Sequence, residues 1–407
     1  QSVFSPYGFH ERLATFWLDH FSVSGKKQRM ARLYVPLYEA EAIRPNMTGS
    51  FASLLIAVIR HPAMLIYLDQ IKSAGPNSPR GQRKKRGGLN ENLGRELLEL
   101  HTLGVDGGYS QQDVMLTGLT VDRDSGESVF KKQFAEPGPL TFMGKSYGGS
   151  RRRVDDVDAM LADLAASPVT ARHICRKLAI HFVSDTPPQP LVEAMASAWI
   201  ASGGDLRQVY AAMLNHPAAW ENPGEKARQP YDFIVAGLRA LDVPKAALAM
   251  PVRRAADDGQ DKADGAEDMA MQPSPMMAPS GADDDEAAEE RADMEEQKRK
   301  GKPPALPLNP VSVRAAGQLG QPIWEPASPA GFDEAFDTWI SSGQITSRIE
   351  WAQRVAAQHA ARIDPSVLLK DVLRDAARED TITVVRQAPN RTAAIALVLA
   401  SPEFNRR

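Results

Sequence analysis

Residues 90–103, which read NENLGRELLELHTL, predict an amphipathic helix because polar and apolar side chains recur there at the spacing of one helical turn. The apolar face carries Leu93, Leu97 and Leu100. The adjoining polar face carries Asn92, Arg95, Glu96 and Glu99. Gly104 follows and can end the helix, because glycine adopts the left-handed conformation that helix ends favour. This stretch therefore predicts a helix with one buried and one polar side.

The same periodicity extends over most of the chain and sets the fold class. Further helices are expected at residues 11–24, 49–60, 63–71, 168–183, 190–202, 205–215, 228–241, 333–341, 345–359, 365–377 and 389–400. Residues 105–150 are rich in glycine and irregular, with room for a short hairpin. The sequence therefore predicts an all-α protein, an irregular multi-helix array with a long disordered acidic insert.

One sequence pattern recurs where helices are expected to meet. An apolar helix ends in a polar residue followed by proline, at His61-Pro62, Ser167-Pro168, His216-Pro217 and Ser401-Pro402. Proline blocks the preceding helix and suits the first position of the next one. We therefore expect helix–helix corners at these places, and His61 and His216 could serve only to cap them.

The composition separates the chain into a core and an insert. Residues 251–304 carry 15 acidic and 8 basic side chains, a net charge of −7, so the rest carries about +4 of the total −3. This stretch has no apolar periodicity and cannot bury enough surface to order itself. We expect residues 1–250 to form the first part of a helical core, 251–306 a disordered Met-, Pro- and Ala-rich insert, and 307–407 the second part of the same domain.

Several classes of site and partner are excluded or disfavoured. Cys175 is the only cysteine, so an internal disulfide and a cysteine-based zinc site are impossible, and its apolar neighbours predict a buried, inert thiol. No apolar run is long enough to span a membrane. The basic run at residues 80–86 has no interleaved aromatics. We expect a solvated loop there, and no nucleic-acid partner.

The side chains that could take part in catalysis or metal binding are most concentrated on the polar face of residues 92–99. Glu96 and Glu99 lie one turn apart beside Arg95, so they could do acid–base work or hold a divalent metal. The alternative is a solvated face whose charges pair with one another. His101 falls on the opposite side of the helix and could join them only if the helix unwinds before it.

Other polar residues have two interpretations each. His20 shares a face with Phe16 and Trp17, so it is either a core residue or a ligand. Asp69 could end its helix or point into a site. Arg44 lies before a proline and could bind an anion or remain solvated.

Six stretches together resemble one known family. They are WLDHFSVS at 17–24, RHPAMLIYLD at 60–69, LNENLGRELLELHTLGVDGGYSQQDV at 89–114, KLAIHFVSDTPP at 177–188, LGQPIWEPASPAGF at 319–332 and LASPEFNRR at 399–407. The chain resembles the bacterial domain of unknown function 1800 family over nearly its whole length outside 251–306. The chain departs from that family's pattern at Ala135, where a histidine is usual, and in a shortened segment after Val114.

The resemblance implies a mainly helical protein without assigning it a reaction. Family members are often encoded beside a second family that resembles sulfatases and carries an export signal. That implies an envelope or periplasmic setting and a sulfatase-like partner. The motif positions matched in this chain are His20, Arg44, His61, Asp69, Asn90, Glu91, Asn92, Arg95, Glu96, Glu99 and His101.

The residues and the resemblance support two hypotheses of function. The first is an envelope-associated hydrolase in which Glu96 and Glu99 act as acid–base or metal-binding carboxylates and Arg95, His20 and His61 orient the substrate. Its substrate-binding residues would be Arg44, Asp69, Asn90, Asn92 and His101. The second is a non-catalytic partner or scaffold of the sulfatase-like protein, because the sequence has no nucleophile or cofactor motif. An enzyme would gather these groups in a cleft, whereas a scaffold would let them neutralise one another.

Overall fold

The structure is a computed structural model. It describes residues 2–27, 29–83, 88–110, 113, 116–150, 152–248 and 309–407. The insert predicted at 251–306 lies outside these residues. The chain divides into two units, one formed by residues 1–243 with 310–407 and the other by residues 244–309.

The described residues are mostly helical. Before residue 244 the helices are α1 (Gly8–His20), α2 (Arg29–Tyr38), α3 (Phe51–Arg60), α4 (Pro62–Tyr67), α5 (Asn92–Glu99), α6 (Val154–Ala166), α7 (Pro168–Phe182), α8 (Gln189–Ser202), α9 (Leu206–Asn215) and α10 (Pro230–Ala240). In the second unit the structure describes α11 (Lys245–Leu248). Beyond residue 309 the helices are α12 (Val313–Gln318), α13 (Phe336–Trp339), α14 (Ser342–His359), α15 (Pro365–Leu373), α16 (Glu379–Arg386) and α17 (Arg391–Ala400). This confirms the predicted all-α class.

Two small antiparallel hairpins lie in the glycine-rich region. Strands β1 (Leu119–Val121) and β2 (Ser128–Phe130) pair with each other. Strands β3 (Leu140–Phe142) and β4 (Lys145–Tyr147) form the second pair. The sequence predicted at most one hairpin here, since strands of three residues leave almost no pattern in a sequence.

An aromatic cluster joins α1 to the middle of the fold. Trp17 and Phe21 are fully buried and stack with ring centroids 5.7 Å apart, as the predicted apolar face of α1 requires. The Trp17 indole donates a hydrogen bond of 2.7 Å to the Tyr210 hydroxyl on α9. Phe51 on α3 packs on Trp199 of α8 at 4.8 Å. The end of α1 is therefore fixed from several sides, which positions the residues that follow Trp17.

The C-terminal end of the chain is bound to a loop before α10. The Arg407 amide donates to the Lys226 carbonyl at 2.8 Å, and the Arg228 amide donates to the Asn405 carbonyl at 2.9 Å. Helix α17, which leads into this end, packs along α14. Arg407 is thereby placed beside the buried groups at the end of α7.

The four predicted corners have side-chain caps. The His61 Nδ1 accepts a hydrogen bond from the Ala63 amide at 3.1 Å, and His216 does the same for Ala218 at 3.2 Å. Ser167 caps α7, and the Ser401 hydroxyl accepts from the Phe404 amide. Both histidines therefore cap the helical turns that follow them.

His61→Ala should lower the free energy of unfolding by about 1 kcal/mol, because it removes the acceptor for the Ala63 amide at the start of α4. His61→Asn keeps a short polar acceptor and should lose much less. Urea unfolding of both variants measures the difference. Equal losses for the two variants would mean that His61 acts through packing and not through the cap.

Several helices differ from the predictions. Helix α5 ends at Glu99 and not at residue 103, because the His101 amide donates to the Glu96 carbonyl and the Leu103 amide to the Leu98 carbonyl, which widens the last turn. The sequence did not predict α2, α6, α11, α12 and α16. Helix α2 contains Pro36, which normally breaks a helix.

Candidate functional site

The polar face of α5 is an array of ion pairs. Arg95 lies 3.4 Å from a carboxylate oxygen of Glu91 and 3.4 Å from one of Glu99, and its own side chain is 42% exposed. Burial and the charge of Glu99 raise the pKa of Glu96, while Arg95 lowers it. The structure thus brings Arg95, Glu96 and Glu99 together as predicted.

Two of the three histidines predicted for the site, His20 and His101, lie in the core and contact each other. The His20 Nε2 lies 3.3 Å from the His101 carbonyl oxygen, so it must donate its hydrogen there, and the two ring centroids are 5.6 Å apart. Burial lowers the pKa of His20 well below its ordinary value and that of His101 to about 3. Both rings are therefore neutral near pH 7.

Arg44 and His61 flank a single π-helical turn, Glu39–Ile43. Arg44 forms partly buried ion pairs with Glu11 at 2.9 Å and Glu39 at 2.8 Å. His61 lies 3.4 Å from Glu41. These contacts hold the turn against α1 and α4, and neither residue meets the α5 face in them.

Asp69, Asn90 and Asn92 lie at the ends of short elements. Asp69 has a left-handed backbone, φ 56°, and pairs with Lys27 at 2.8 Å and Lys72 at 2.9 Å. The Asn90 side chain accepts from the Asn92 amide at 2.9 Å, which caps the start of α5. The sequence-predicted residues are therefore divided among separate places in the fold.

A cavity that the sequence did not predict lies beside the end of α1. We call it the Asp19 cavity. It has a volume of about 550 Å³ and lies between α1, α7 and the segment after the insert. Its lining includes Phe16, Asp19, His20, Lys177, Ile180, Asp185 and residues 330–335. Of the ten residues predicted for the site from the sequence, only His20 is among them.

Asp19 has a strongly perturbed carboxyl group. The Phe332 amide donates a hydrogen bond of 3.0 Å to its Oδ1. Burial raises the pKa of Asp19 to about 7, and the charge of Glu334 adds to this, whereas the Phe332 hydrogen bond and Lys177 lower it. At neutral pH the group is therefore divided between its acid and base forms.

Lys177 supplies a cation to the same cavity. Within the described ranges, no carboxylate comes within 4 Å of its ammonium group and no hydrogen bond ends on it. Burial lowers the pKa of Lys177, while the charges of Asp19 and Glu334 raise it. The Lys177 ammonium is thus influenced by Asp19 but not bound by it.

A buried charge network supports one wall of the cavity. The Lys226 side chain is 1% exposed and pairs with Asp185, and it also donates to the Glu334 carbonyl at 2.6 Å. The His181 ring hydrogen-bonds Glu334. Burial would raise the pKa of Glu334, but His181 and Lys226 together lower it. Glu334 therefore remains ionised and fixes the segment after the insert against α7.

Gly331 allows this segment to cover Asp19. Its φ is +84°, and a Cβ there would lie 2.6 Å from the Asp19 carbonyl oxygen and 2.7 Å from Oδ2. Gly331→Ala should therefore destabilise the fold by about 1 kcal/mol more than Gly138→Ala. Gly138 has the same φ, +84°, with nothing within 4 Å, so its variant carries the backbone strain alone.

Chemical denaturation of the two alanine variants checks this prediction. Equal losses would mean that residue 331 does not press on Asp19. A larger loss at Gly331, with a disturbed Phe332 amide signal, would agree with the contact.

Sequence reasoning missed most of this site, although its residues lie in or beside stretches that carried the family resemblance. Those stretches are 17–24, 177–188, 319–332 and 399–407. The polar residues they or their neighbours supply are Asp19, Lys177, His181, Asp185, Glu334 and Arg407. The charged residues inside these stretches, among them Asp19, Lys177 and Asp185, were the available signal, whereas Glu334 lies just beyond residue 332.

The described part of the chain has neither a metal cluster nor a membrane-spanning helix. No group of three or more His, Cys, Asp or Glu side chains in it is arranged to hold a metal ion. None of its helices is long and apolar enough to cross a membrane. Cys175 is free and buried, as predicted, and burial raises the pKa of its thiol.

Comparison with known proteins identifies a family but no activity. The family model described as "Protein of unknown function (DUF1800)" matches residues 1–406. No curated protein and no solved structure matches the chain.

Proposed function

We propose that this chain, which belongs to the domain of unknown function 1800 family, is a hydrolase whose active site is the Asp19 cavity. Asp19 would be the general base and Lys177 the cation that stabilises developing negative charge. One observation carries the proposal. Asp19 and Lys177 line the same cavity of about 550 Å³, and no described carboxylate pairs with Lys177 within 4 Å.

The electrostatics of both groups suit proton transfer near neutrality. A general base works best when its pKa lies near the working pH, and burial raises the pKa of Asp19 to about 7. A cation in a cavity with little water stabilises an oxyanion more strongly than it would in bulk solvent. His20 lines the same cavity as a neutral ring, so it adds hydrogen-bonding capacity without charge.

The proposed reaction uses one water molecule. The ionised Asp19 carboxylate takes a proton from water as the water oxygen bonds to the electrophilic centre of the substrate. The Lys177 ammonium binds the substrate oxygen that gains negative charge. When the bond to the leaving group breaks, the protonated Asp19 carboxyl returns its proton to that group, which restores the starting state.

The proposal is tested with a panel of chromogenic esters, amides, phosphates, sulfates and glycosides. Hydrolysis by the wild-type chain should fall by about 100-fold or more in Asp19→Asn, and Lys177→Met should lower the rate while folding normally. No hydrolysis of any panel member by the wild type, or an unchanged rate in Asp19→Asn, would count against the proposal.

The α5 face is a second candidate for the catalytic carboxylates. Burial and Glu99 raise the pKa of Glu96, which favours an acid–base role for it. Glu96→Gln in the same panel separates the candidates. A large loss in Glu96→Gln with none in Asp19→Asn would transfer the active site to α5, with Arg95 and Glu99 as its neighbours.

A scaffold function for a sulfatase-like protein in the cell envelope is the alternative. The pairing of Arg95 with Glu91 and Glu99 favours the scaffold function. In a scaffold these charges need only neutralise one another, as they do in ordinary surface ion pairs. Co-purification with a sulfatase-like protein, of the kind that the family resemblance implies as a neighbour, tests this alternative. Stable association with no hydrolysis would support it, and no association would remove it.

A further inference from the structure

A second cavity lies beside the N-terminal part of α1, near the C-terminal end of the chain. We call it the arginine pocket. It has a volume of about 920 Å³, and three of its lining residues are Arg12, Arg228 and Arg407. It shares no residue with the Asp19 cavity. The two cavities are neighbours through Glu334, which lines the Asp19 cavity and lies 3.9 Å from Arg407.

Arg12 is a cation without a bonded partner in the described part of the chain. Its Nε and Nη2 atoms are buried and neither makes a hydrogen bond there. The guanidinium carbon lies 4.8 Å from the centre of the Phe182 ring, which holds the side chain in place by a cation–π contact. Burying guanidinium N–H groups without hydrogen-bond acceptors costs free energy. This arrangement therefore favours a ligand that supplies acceptor atoms.

Three of the four carboxylates that line the arginine pocket have partners, and for Asp232 that partner is an arginine of the pocket itself. Glu11 pairs with Arg44 at 2.9 Å. Asp232 pairs with Arg407. Asp364 caps α15 by accepting from the Ser366 amide at 2.8 Å. Asp371 is exposed, so solvent screens its charge.

The guanidinium groups of the arginine pocket repel one another. Burial lowers the pKa of Arg228 to about 10, and the charge of Arg12 contributes to that shift. Burial also lowers the pKa of Arg407, and Arg12 and Arg228 add to that effect. Glu334 is the carboxylate whose charge acts on Arg12. An anion placed among the three arginines would relieve their mutual repulsion.

We infer that the arginine pocket binds a phosphate-sized oxyanion, with Arg12 as its principal ligand and Arg228 as the second. Guanidinium groups present several N–H donors in a planar fork, which matches the oxygens of a phosphoryl or sulfuryl group. Arg407 contributes charge, while its Nη1 remains with Asp232 and its Nη2 with the His181 carbonyl. The ligand is thus a compound that bears such a group, or the free anion.

Titration calorimetry of the full chain with inorganic phosphate and then sulfate, at constant ionic strength, tests the inference. Wild type should bind with one saturable site, and Arg12→Ala should bind at least about tenfold more weakly. Arg354→Ala is the matched control, since Arg354 lies outside the pocket and is 44% exposed, and it should bind as wild type does. A titration with acetate tests whether a carboxylate can replace the phosphate. Acetate should bind much more weakly than phosphate.

A second variant protects the test from a folding defect. Thermal unfolding without phosphate shows whether Arg12→Ala is folded, and Arg228→Ala gives an independent loss of affinity if it is not. Absence of saturable phosphate or sulfate binding in the wild type would overturn the inference. Equal affinity of wild type, Arg12→Ala and Arg228→Ala would do the same, as would acetate binding as tightly as phosphate.

Discussion

Replacing Lys226 with methionine is expected to lower the free energy of unfolding by about 3 kcal/mol or more. The Lys226 ammonium is buried between Asp185 and Glu334, and its side chain is 1% exposed. Methionine keeps the packing volume but removes the charge, which leaves Asp185 without its cation and Glu334 with the more distant Arg407, at 3.9 Å. Removing one partner of a buried ion pair costs about 3–5 kcal/mol. Both carboxylates are partly exposed, so we expect a loss near the lower end of that range.

Lys145→Met is the matched control for this prediction. Lys145 also pairs with an aspartate, Asp163, but its side chain is 62% exposed. Surface pairs of this kind contribute about 0–1 kcal/mol. Urea unfolding of both variants at pH 7 compares them directly, and similar losses for the two would contradict the role given to Lys226.

Asp19→Asn is expected to change how stability depends on pH. Burial raises the pKa of Asp19 from 3.8 to about 7 in the folded chain. A raised pKa contributes stability that is complete below the unfolded value and is lost as pH rises through the folded value. Relative to Asp19→Asn, the wild type should therefore lose stability between about pH 4 and pH 7. A pKa difference of about three corresponds to at most about 4 kcal/mol.

The measurement is the free energy of unfolding of the wild type and Asp19→Asn across pH 4 to 8. Subtracting one curve from the other removes the titration of the remaining groups, His181 among them. Asp337→Asn, at an exposed position outside the cavity, sets the baseline. A difference curve that stays flat from pH 4 to 8 would mean that the Asp19 carboxyl has an ordinary pKa.

The sequence pattern predicted those features of the fold that depend on residues close together in the chain. The aromatic face of α1 and the capped corner at His61 depend on residues within one or two turns of one another, so spacing alone identifies them. Helix α16 was missed because its EDTITVVR sequence is rich in β-branched residues, which disfavour helices. Its contacts with α17 supply the stability that its propensity lacks.

The Asp19 cavity could not be predicted in the same way. The hydrogen bond from Phe332 to Asp19 joins residues 313 positions apart, and the pair of Lys226 with Asp185 joins distant elements as well. Before folding, Asp19 is one acidic residue near the end of an apolar helix. Its perturbed pKa arises only when the segment around Gly331 covers it, and no periodicity carries that information.

The most direct test of the Asp19 cavity is a ¹³C NMR titration of the aspartate carboxyl groups, with the Asp19 signal assigned from its absence in Asp19→Asn. We expect its midpoint near pH 7, and a higher midpoint in Lys177→Met, because Lys177 lowers the pKa of this carboxyl. A midpoint near 4 that is unchanged in Lys177→Met would contradict the proposed role of this cavity, since Asp19 would then be an ordinary carboxylate without electrostatic contact with Lys177.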